Sequence, residues 1–290
     1  MIYVIIGPTG SGKTKYASKL FYKLNNPLII NADAFQVYKG MDIGTAKISK
    51  HDPLYANYAL LDILPPTKTF SIQEYQQMFR EVANNAIRNN RDIIVVGGSG
   101  LYIKAALFDY EFINYEEEID MSEFDNMSNE QLFEYLKEID EKEAIKLHQN
   151  NRKRVLQAIK ISKMGNGSKS ELIDKQEHKI IYDNVKFLFV NSSREELYEK
   201  INIRVDEMIK EGLVDEVKGL LDKYDLSLTA YQAIGYKEII DYLNGKYELN
   251  DAIELIKKRT RNYAKRQITF FKHQFDNSSY VDIKQFIDFL

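Results

Sequence analysis

Residues 7–14 read Gly7-Pro8-Thr9-Gly10-Ser11-Gly12-Lys13-Thr14, which fits the phosphate-binding pattern G-x-x-x-x-G-K-[ST]. The glycines let backbone N–H groups converge on phosphate oxygens, and the start of a following helix favours an anion. Lys13 supplies a positive charge, and the Thr14 hydroxyl is a candidate ligand for Mg²⁺. An ordinary glycine turn is the alternative interpretation. The pattern predicts a site for a phosphate chain and leaves open which molecule contains that chain.

Strands and helices are predicted to alternate around this loop. Ile2–Ile6, Leu28–Asn31 and Ile93–Val96 are short apolar runs, typical of strands that are buried on both faces. Residues 13–24 have helical spacing, and Ser71 begins a capping box for a later helix. This alternation predicts an α/β fold, with a P-loop NTPase-like parallel sheet core and crossover helices.

The chain changes character near residue 110. Strand signals disappear over residues 110–184, and the composition there is mostly helical. A strand at 186–190 and long helices at 194–221 and 251–272 follow. We therefore predict a mostly helical insertion within an α/β core that includes the C-terminal helices: the core is 1–109 and 185–290, and the insertion is 110–184.

The composition excludes several classes of protein. The 290 residues include no cysteine, which excludes disulfides, zinc–thiolate sites, iron–sulfur clusters and thiol nucleophiles. The longest apolar runs are far shorter than the roughly 20 residues of a membrane span. The N-terminus has no secretory signal pattern. We expect a cytoplasmic protein with no membrane partner.

The charge is unevenly distributed. The net charge of −3 and a pI near 5.9 do not by themselves indicate a nucleic-acid-binding protein. Residues 111–143 are strongly acidic, however, whereas 148–170 and 251–273 are basic. Each charged run could simply be a solvated helix face. We expect the acidic segment to face solvent and the basic segments to be candidates for binding a polyanion.

Asp33 is the acid best situated for chemistry. In ATP-driven motors an Asp ends a later buried strand, but here Ile93–Val96 runs into Gly97-Gly98-Ser99. Asp33 follows the second predicted strand instead, and the carboxyl ends of parallel strands border the ligand crevice. Asp33 is therefore a candidate general base or acceptor-orienting group. The alternative is a loop or helix cap.

Residues 31–47 read NADAFQVYKGMDIGTAK and resemble the tRNA dimethylallyltransferase family. Further blocks similar to this family follow in the family's order, and together they extend over about residues 3–272. These blocks are Leu61-Asp62-Ile63-Leu64-Pro65, Gly97-Gly98-Ser99-Gly100-Leu101-Tyr102, His148-Gln149-Asn150-Asn151-Arg152-Lys153-Arg154, Arg204-Val205-Asp206-Glu207-Met208, Ala233-Ile234-Gly235-Tyr236-Lys237-Glu238 and Tyr263-Ala264-Lys265-Arg266-Gln267.

The resemblance implies transfer of a dimethylallyl group from dimethylallyl diphosphate to N6 of adenosine 37 in tRNA, with release of diphosphate and with Mg²⁺ as cofactor. It implies that Asp33 accepts or orients the N6 proton, and that Thr9 and Ser99 bond near the diphosphate or the attacking amine. Arg204 becomes a candidate diphosphate clamp, with a surface ion pair as the alternative. The implied diphosphate site is completed by Gly7, Pro8, Thr9, Gly10, Ser11, Gly12, Lys13 and Thr14.

The implied partner is the anticodon stem-loop of tRNA, bound by a monomer. A loop base can be drawn out of its stack into a pocket, and basic residues then follow the backbone. The sequence departs from the family's pattern at two places. Ala34-Phe35 stands where the family usually has Ser-Met, and Gln157 stands where it has an arginine. The implied tRNA-binding residues are Asp33, Ala34, Phe35, Gln36, Ser99, Arg152, Lys153, Arg154, Lys257, Arg261 and Lys265.

Two other functions compete with prenyl transfer. A small-molecule P-loop kinase would also have the phosphate loop and an acid after the second strand, and residues 152–163 could imitate its arginine-rich lid. It leaves the matches over 31–47 unexplained. A non-catalytic RNA-binding module gated by nucleotide would account for the basic segments, and it would bind RNA without prenyl transfer at saturating donor.

Overall fold

The computed structural model describes residues 1–112, 119–164, 167–174, 178–190, 192–275 and 280–289. The chain forms two compact units, one of residues 1–107 and 182–290 and the other of residues 108–181. The bounds of the second unit lie two and three residues from those predicted for the insertion. Each unit has a hydrophobic core of its own.

The first unit contains a six-stranded sheet in which all the paired strands are parallel. Its strands are β1 (Ile2–Ile6), β2 (Leu28–Asn31), β3 (Tyr58–Ala59), β4 (Ile93–Val96), β5 (Val185–Phe189) and β6 (Val281–Asp282). They lie in the order β3-β2-β4-β1-β5-β6. This arrangement confirms the predicted α/β class, and the ends of β1, β2 and β4 are the predicted ones.

Helices connect these strands. None of the helices in the described ranges is long and apolar enough to cross a membrane. The helices of the first unit are α1 (Lys13–Phe21), α2 (Ile72–Arg88), α3 (Gly100–Leu107), α8 (Arg194–Lys210), α9 (Leu213–Lys223), α10 (Leu228–Tyr231), α11 (Tyr236–Leu243), α12 (Leu249–Gln274) and α13 (Ile283–Phe289). Those of the second unit are α4 (Asn129–Ile139), α5 (Glu141–Lys146), α6 (Arg152–Lys163) and α7 (Lys169–Asp174).

The core of the first unit is built around the central strand β1. All five β1 residues are buried, as expected for a parallel strand covered on both faces. Ala17 and Leu20 of α1 and Ile283 of α13 pack against its cluster. The sheet therefore fixes the ends of β1, β2 and β4, from which the loops of the candidate site emerge.

Helix capping follows the sequence closely at α2. The Ser71 hydroxyl accepts a hydrogen bond from the N–H of Glu74 at 3.1 Å, and the Glu74 carboxylate accepts one from the N–H of Ser71 at 2.7 Å. This capping box confirms the prediction for that helix. Helix α1 ends at Phe21 rather than at residue 24, and Asn26 then adopts a positive φ of 49° before Pro27.

The single helix predicted over residues 194–221 is wrong. The structure has two helices there, α8 and α9, separated at Gly212. Gly212 has a φ of 100°, a conformation that ends a helix and that glycine adopts without steric cost. Helical periodicity continues across this break, so the pattern alone did not reveal it. The strand predicted at 186–190 begins one residue earlier, as β5.

The second unit is helical, with a core that includes Phe124, Leu132, Leu136 and Val155. The expectation that its acidic segment faces solvent is wrong at two positions. Asp140 and Glu143 are both buried. The Asp140 carboxylate accepts a hydrogen bond from the Ser170 hydroxyl at 2.6 Å, and Glu143 pairs with Lys169 at 2.5 Å. Glu143 of the acidic segment is thus paired with Lys169 of the basic segment inside this unit.

Candidate active site

The phosphate-binding loop connects β1 to α1, as predicted. Gly10 and Gly12 have φ values of 79° and 86°, which residues with a side chain rarely adopt. A Cβ atom on Gly10 would also come within 2.8 Å of Ile201 on α8. Gly10 is therefore required both by the backbone conformation and by the close approach of α8, and Gly12 by the backbone conformation alone.

Lys13 lies beneath this loop, and its Nζ donates a hydrogen bond to the carbonyl oxygen of Pro8 at 2.7 Å. Burial lowers the pKa of Lys13 to about 7, the carboxylate of Asp33 opposes this shift, and the guanidinium of Arg204 adds to it. At neutral pH the amine is therefore close to its midpoint. An anion bound in the loop would stabilise the charged form.

A second glycine loop, Gly97-Gly98-Ser99, follows β4 and packs against the end of β2. A Cβ atom on Gly97 would lie 2.1 Å from the carbonyl carbon and oxygen of Ala32. The N–H of Ser99 donates to the Ala32 oxygen at 3.1 Å, and the Ser99 hydroxyl accepts a hydrogen bond from the N–H of Ala34 at 3.1 Å. Ser99 thus holds the backbone on both sides of Asp33.

Replacing Gly97 with alanine should strongly destabilise the protein, because backbone atoms of Ala32 occupy the position of the new methyl group. We expect a loss of about 3 kcal/mol in the free energy of unfolding, measured by urea denaturation. Gly219→Ala is the matched control, since a Cβ atom there meets nothing within 4 Å and the residue lies inside α9. That variant should gain up to about 1 kcal/mol. Equal stabilities of the two variants would contradict the argument.

Asp33 directly follows β2 and is held by an Asx-type turn. Its Oδ1 accepts hydrogen bonds from the N–H of Phe35 at 2.9 Å and of Gln36 at 3.4 Å. Its own N–H donates to the side chain of Asn31 at 3.1 Å, and the Asn31 amide donates to the Leu60 oxygen at 2.9 Å. Among the described residues, no hydrogen bond is found to Oδ2 of Asp33. The loop-cap and chemical interpretations are therefore compatible, with one oxygen available for each.

Helix α12 joins the two glycine loops from the other side. Gln267 is buried; its Oε1 accepts a hydrogen bond from the N–H of Thr9 at 2.8 Å, and its Nε2 donates to the Gly98 oxygen at 2.8 Å. Tyr263 lies one turn before Gln267 on the same helix. Burial and the negative charge of Asp33 raise the pKa of Tyr263 to about 12, although hydrogen bonds with Ser99 and Gln267 oppose the shift. Tyr263 therefore stays protonated and is a hydrogen-bond donor beside Asp33.

Two adjoining cavities open beside Asp33. The phosphate cavity is lined by polar groups of both glycine loops, and the apolar cavity by side chains of α8, α12 and the chain before α11. Members of the phosphate cavity include Gly12, Lys13, Thr14, Gln36, Gly97 and Gly98, and members of the apolar cavity include Phe35, Ile201, Val205, Met208, Ile234 and Ile256. Both cavities are lined by Thr9, Asp33, Thr45, Arg204 and Tyr263.

Arg204 is the cation at the boundary of the two cavities. Burial lowers the pKa of its guanidinium, while the carboxylates of Asp33, Glu207 and Glu211 oppose the shift. Within the described ranges the guanidinium makes no hydrogen bond or ion pair. A partly buried cation without a protein partner is costly, so the geometry favours an anionic ligand at this point. The surface ion pair weighed for Arg204 is not found in the described ranges.

Comparison with known proteins agrees with this geometry. A family model described as IPP transferase matches residues 36–274. A tRNA dimethylallyltransferase of Anoxybacillus flavithermus is 40% identical over 274 residues, which are 94% of this chain and 88% of that protein. The chain belongs to the IPP transferase family. The family resemblance noted in the sequence is thereby confirmed.

Solved structures of the family share the fold. A tRNA isopentenylpyrophosphate transferase of Staphylococcus epidermidis is 35% identical, with a TM-score of 0.71 over 99% of this chain and 96% of that chain. A eukaryotic dimethylallyltransferase, solved while acting on tRNA, is 26% identical, with a TM-score of 0.83 over 97% of this chain and 73% of that chain. The P-loop-like core is thus the family's own architecture.

Apart from the six basic residues predicted to bind tRNA, fourteen site residues of this family member were predicted, and nine of them line the two cavities. Gly7, Pro8, Ser11, Ala34 and Ser99 do not line either cavity. Ser11 has a buried hydroxyl with no hydrogen-bond partner in the described part of the chain. The side-chain amide nitrogen of Gln36 donates to the Thr45 oxygen at 3.0 Å and to the Ala46 oxygen at 3.4 Å, so the carbonyl oxygen of that side chain is the atom left to contact a base. The predicted residues that line a cavity are Thr9, Gly10, Gly12, Lys13, Thr14, Asp33, Phe35, Gln36 and Arg204.

The predicted basic contacts on α12 differ in how much they are engaged. Lys257 pairs with Asp206 at 2.9 Å and with Glu254 at 3.0 Å, and the hydrogen bond with Asp206 raises the pKa of Lys257. Arg261 donates to the side chain of Asn202 at 2.5 Å. Lys265 is exposed. Of these three residues, Lys265 is the most accessible to a polyanion.

The basic residues at the start of α6 also differ from one another. Arg152 donates to the backbone oxygens of Met127 at 2.6 Å and of Phe124 at 2.9 Å. These hydrogen bonds tie α6 to the segment that precedes α4. Lys153 and Arg154 are exposed. Within this unit, the exposed pair is therefore better suited to a backbone phosphate than Arg152 is.

Sequence reasoning missed three residues of the site. Tyr263 and Thr45 line both cavities, and Gln267 links the two glycine loops. All three belong to blocks that resemble the family, and Tyr263 and Gln267 are four residues apart on one helix. That spacing could have indicated a shared face, but nothing in the local sequence indicates which loops the face meets.

Proposed function

We propose that this chain transfers a dimethylallyl group from dimethylallyl diphosphate to N6 of adenosine 37 in tRNA and releases diphosphate. The observation that supports this most strongly is the position of Asp33, which lines both a cationic phosphate cavity and an apolar cavity. A prenyl diphosphate has the same two parts, an anionic head and an apolar tail. The carboxylate lies where the two parts of such a molecule would join.

The diphosphate is the leaving group of this reaction. The bond between the allylic carbon and the diphosphate oxygen breaks, and its electron pair remains on that oxygen. Backbone N–H groups of the phosphate loop, the ammonium of Lys13 and the guanidinium of Arg204 stabilise the charge that develops there. The aromatic ring of Phe35 and the apolar side chains around it surround the five-carbon group.

The acceptor is the neutral N6 amine of the adenine. Its lone pair forms the new bond to the allylic carbon, and the nitrogen then has one proton too many. Asp33 accepts that proton through its oxygen, Oδ2, that is not engaged with the turn. Ser99 keeps the backbone beside Asp33 in place, and the hydroxyl of Tyr263 donates at the same boundary.

Mg²⁺ is the cofactor we propose. The Thr14 hydroxyl and the Asp33 carboxylate both line the phosphate cavity, which supplies oxygen donors of the type that Mg²⁺ prefers. No cluster of three or more acidic, His or Cys side chains that could hold a metal occurs in the described residues. This donor set fits an ion held largely by substrate phosphates and water. When bound, Mg²⁺ neutralises charge on the diphosphate.

The tRNA reaches the site with its anticodon stem-loop, in which a base can be drawn out of the stack. We propose that exposed cations, above all Lys153, Arg154 and Lys265, bind the RNA backbone. Lys257, Arg261 and Arg152 would have to exchange or share their present partners to do so. We further propose that the enzyme acts as a monomer in the cytoplasm.

The competing functions are less well supported. A kinase needs a position for a phosphoryl acceptor, but the cavity next to the phosphate loop is lined by apolar side chains. A non-catalytic module would not need a carboxylate at the boundary of two cavities. The family relationship favours prenyl transfer over both alternatives.

The proposed reaction is tested by incubating the protein with unmodified tRNA, Mg²⁺ and dimethylallyl diphosphate. Nucleosides from the digested tRNA are then analysed by mass spectrometry. We expect N6-isopentenyladenosine in an amount that grows with time and requires the donor. ATP-dependent phosphorylation of a small acceptor, with no modified nucleoside, would contradict the proposal and favour the kinase.

Replacing Arg204 with glutamine should raise the KM for the prenyl diphosphate about tenfold to a hundredfold, since one charged hydrogen-bonding partner is lost. The measurement is steady-state kinetics with varied donor at saturating tRNA. Arg194→Gln is the matched control, because Arg194 starts the same helix but is exposed. Equal donor KM values for the two variants would show that Arg204 does not bind the diphosphate.

A further inference from the structure

The segment of residues 41–47, which we call the cavity loop, contributes residues to the lining of both cavities. Gly44 lines the apolar cavity, and Thr45 lines both cavities. The loop has no regular secondary structure, so other parts of the protein must fix its conformation. The residues that fix it determine the shape of the site without necessarily touching a substrate.

Glu216 of α9 binds the start of the cavity loop through three hydrogen bonds and accepts a fourth from Tyr236 of α11. Its Oε2 accepts from the N–H of Asp42 at 3.1 Å and of Ile43 at 2.7 Å. Its Oε1 accepts from the N–H of Gly44 at 3.3 Å and from the hydroxyl of Tyr236 at 2.6 Å. One carboxylate therefore satisfies three consecutive backbone donors and a phenol, and a charged acceptor makes each of these bonds stronger.

The phenol in this group is itself fixed by packing. Tyr236 is buried, and burial raises its pKa well above the ordinary value, with the charge of Glu216 adding to the shift. The ring lies against Gly44, where a Cβ atom would come within 2.5 Å of a ring carbon. Glycine at this position lets the ring and the loop backbone approach closely, so the Tyr236 hydroxyl and the loop N–H groups converge on Glu216.

The end of the cavity loop is attached separately. Lys47 is almost fully buried, and its Nζ donates to Asp42 at 2.7 Å, to Asp62 at 2.6 Å and to the Tyr38 oxygen at 2.6 Å. The loop thus has two anchors, with Glu216 at its start and Lys47 at its end. The hydrogen bonds to Glu216 connect the loop to α9.

The cavity loop is connected by hydrogen bonds to the proposed base. The Gln36 amide donates to the Thr45 oxygen at 3.0 Å and to the Ala46 oxygen at 3.4 Å. The N–H of Gln36 donates in turn to Oδ1 of Asp33 at 3.4 Å. A shift of the loop would therefore move both the Gln36 side chain and the turn that orients the carboxylate.

We propose that Glu216 is a positioning residue for prenyl transfer, which sets the cavity loop and through it Gln36 and Asp33. This inference rests on the proposed function, because the step it affects is attack by the adenine amine. Glu216 lines neither cavity, so it acts through the loop and not on a substrate. Its loss should slow the transfer step and leave the phosphate-binding loop of residues 7–14 unchanged, since no hydrogen bond among the described residues joins that loop to the cavity loop.

The test measures kcat of Glu216→Ala and of the wild-type protein at saturating tRNA and donor. For both proteins the dissociation constant of inorganic diphosphate is measured by calorimetry. We expect kcat to fall about 30- to 100-fold, the range caused by misplacing a reacting group by about 1 Å. The dissociation constant of diphosphate should stay within about twofold, since a change of that size is below 0.5 kcal/mol. Asp215→Ala is the matched control. Asp215 is the neighbour of Glu216 on α9, but its side chain is exposed, and we expect wild-type kinetics for this variant.

Glu216→Gln guards against the possibility that the alanine variant fails to fold. The amide keeps the length of the side chain but has one acceptor oxygen, so it can serve only one edge of the group. We expect an intermediate loss of kcat, about tenfold, with diphosphate binding again unchanged. The expected order of kcat is therefore wild type, then Glu216→Gln, then Glu216→Ala. Well below the melting temperature all three proteins are folded, so a difference in global stability does not produce this order.

Two outcomes would overturn the inference while the proposed function stands. One is wild-type kcat in a folded Glu216→Ala or Glu216→Gln variant. The other is a loss of diphosphate affinity as large as the loss of kcat, which would indicate general damage to the site. If the wild-type protein itself transfers no prenyl group to tRNA, the proposed function fails, and the role of Glu216 in it fails too.

Discussion

Replacing Asp33 with alanine is expected to lower the rate of prenyl transfer to tRNA about 1000-fold, while inorganic diphosphate still binds. The carboxylate lies at the boundary of the two cavities, and a neutral methyl group cannot accept the proton that N6 loses. The measurement is the single-turnover rate of isopentenyladenosine formation at saturating donor. Calorimetry with inorganic diphosphate provides the second readout.

The calorimetry with this variant should be done at pH 6 as well as at neutral pH. Asp33 raises the pKa of Lys13, so its removal shifts the amine further toward the neutral form at pH 7. At pH 6 Lys13 is largely charged in the wild-type protein and more charged in the variant than at pH 7, so we expect the two affinities to lie closer together than at neutral pH. A general loss of the site would instead weaken binding at both pH values.

Asp33→Asn is the matched variant for the assigned role. The amide oxygen can still accept the hydrogen bonds from the N–H groups of Phe35 and Gln36, so the turn after β2 is preserved. We expect almost the same loss of rate as in the alanine variant, because an amide is not a base. Near-normal transfer by Asp33→Asn would contradict proton acceptance and leave Asp33 an orienting role only.

The elements that could be predicted from the sequence are those whose signal is local. The ends of β1, β2 and β4 follow from continuous apolar runs, and the start of α2 from a capping box. The strands β3 and β6 have two residues each, too few for any periodicity to appear. They exist because a neighbouring strand offers backbone hydrogen bonds, and the sequence does not show such a neighbour.

The candidate site divides in the same way. Residues 7–14 and Asp33 could be predicted because their chemistry is contained in short motifs next to strands. The link from Thr9 to Gln267 joins residues at opposite ends of the chain, and the four hydrogen bonds to Glu216 depend on the packing of α9 against the cavity loop. The ion pair between Lys257 of α12 and Asp206 could not be predicted, because Asp206 lies on another helix.

The Lys13 amine should take up a proton when the protein binds diphosphate. The affinity of the protein for diphosphate should therefore fall as the pH rises above 7. In the ligand-free protein, burial holds the pKa of this amine at about 7, so below that value it is already charged and above it is mostly neutral. A bound diphosphate raises the pKa of the amine, because the negative charge stabilises the ammonium. Binding above pH 7 must therefore first protonate Lys13, which weakens the affinity by up to about tenfold per pH unit.

Lys13→Met should remove this effect and weaken diphosphate binding about 100- to 1000-fold at pH 6, where the wild-type ammonium is present. Proton uptake is measured by calorimetry at pH 8 in buffers of different ionisation enthalpy. Diphosphate itself also titrates in this range, but equally with both proteins, so the difference between them isolates Lys13. An identical uptake in both would mean that the protonation of Lys13 does not change when diphosphate binds. An unchanged affinity at pH 6 would mean that Lys13 does not contact the diphosphate, and the charge stabilisation attributed to it would have to come from Arg204 and the backbone of the loop.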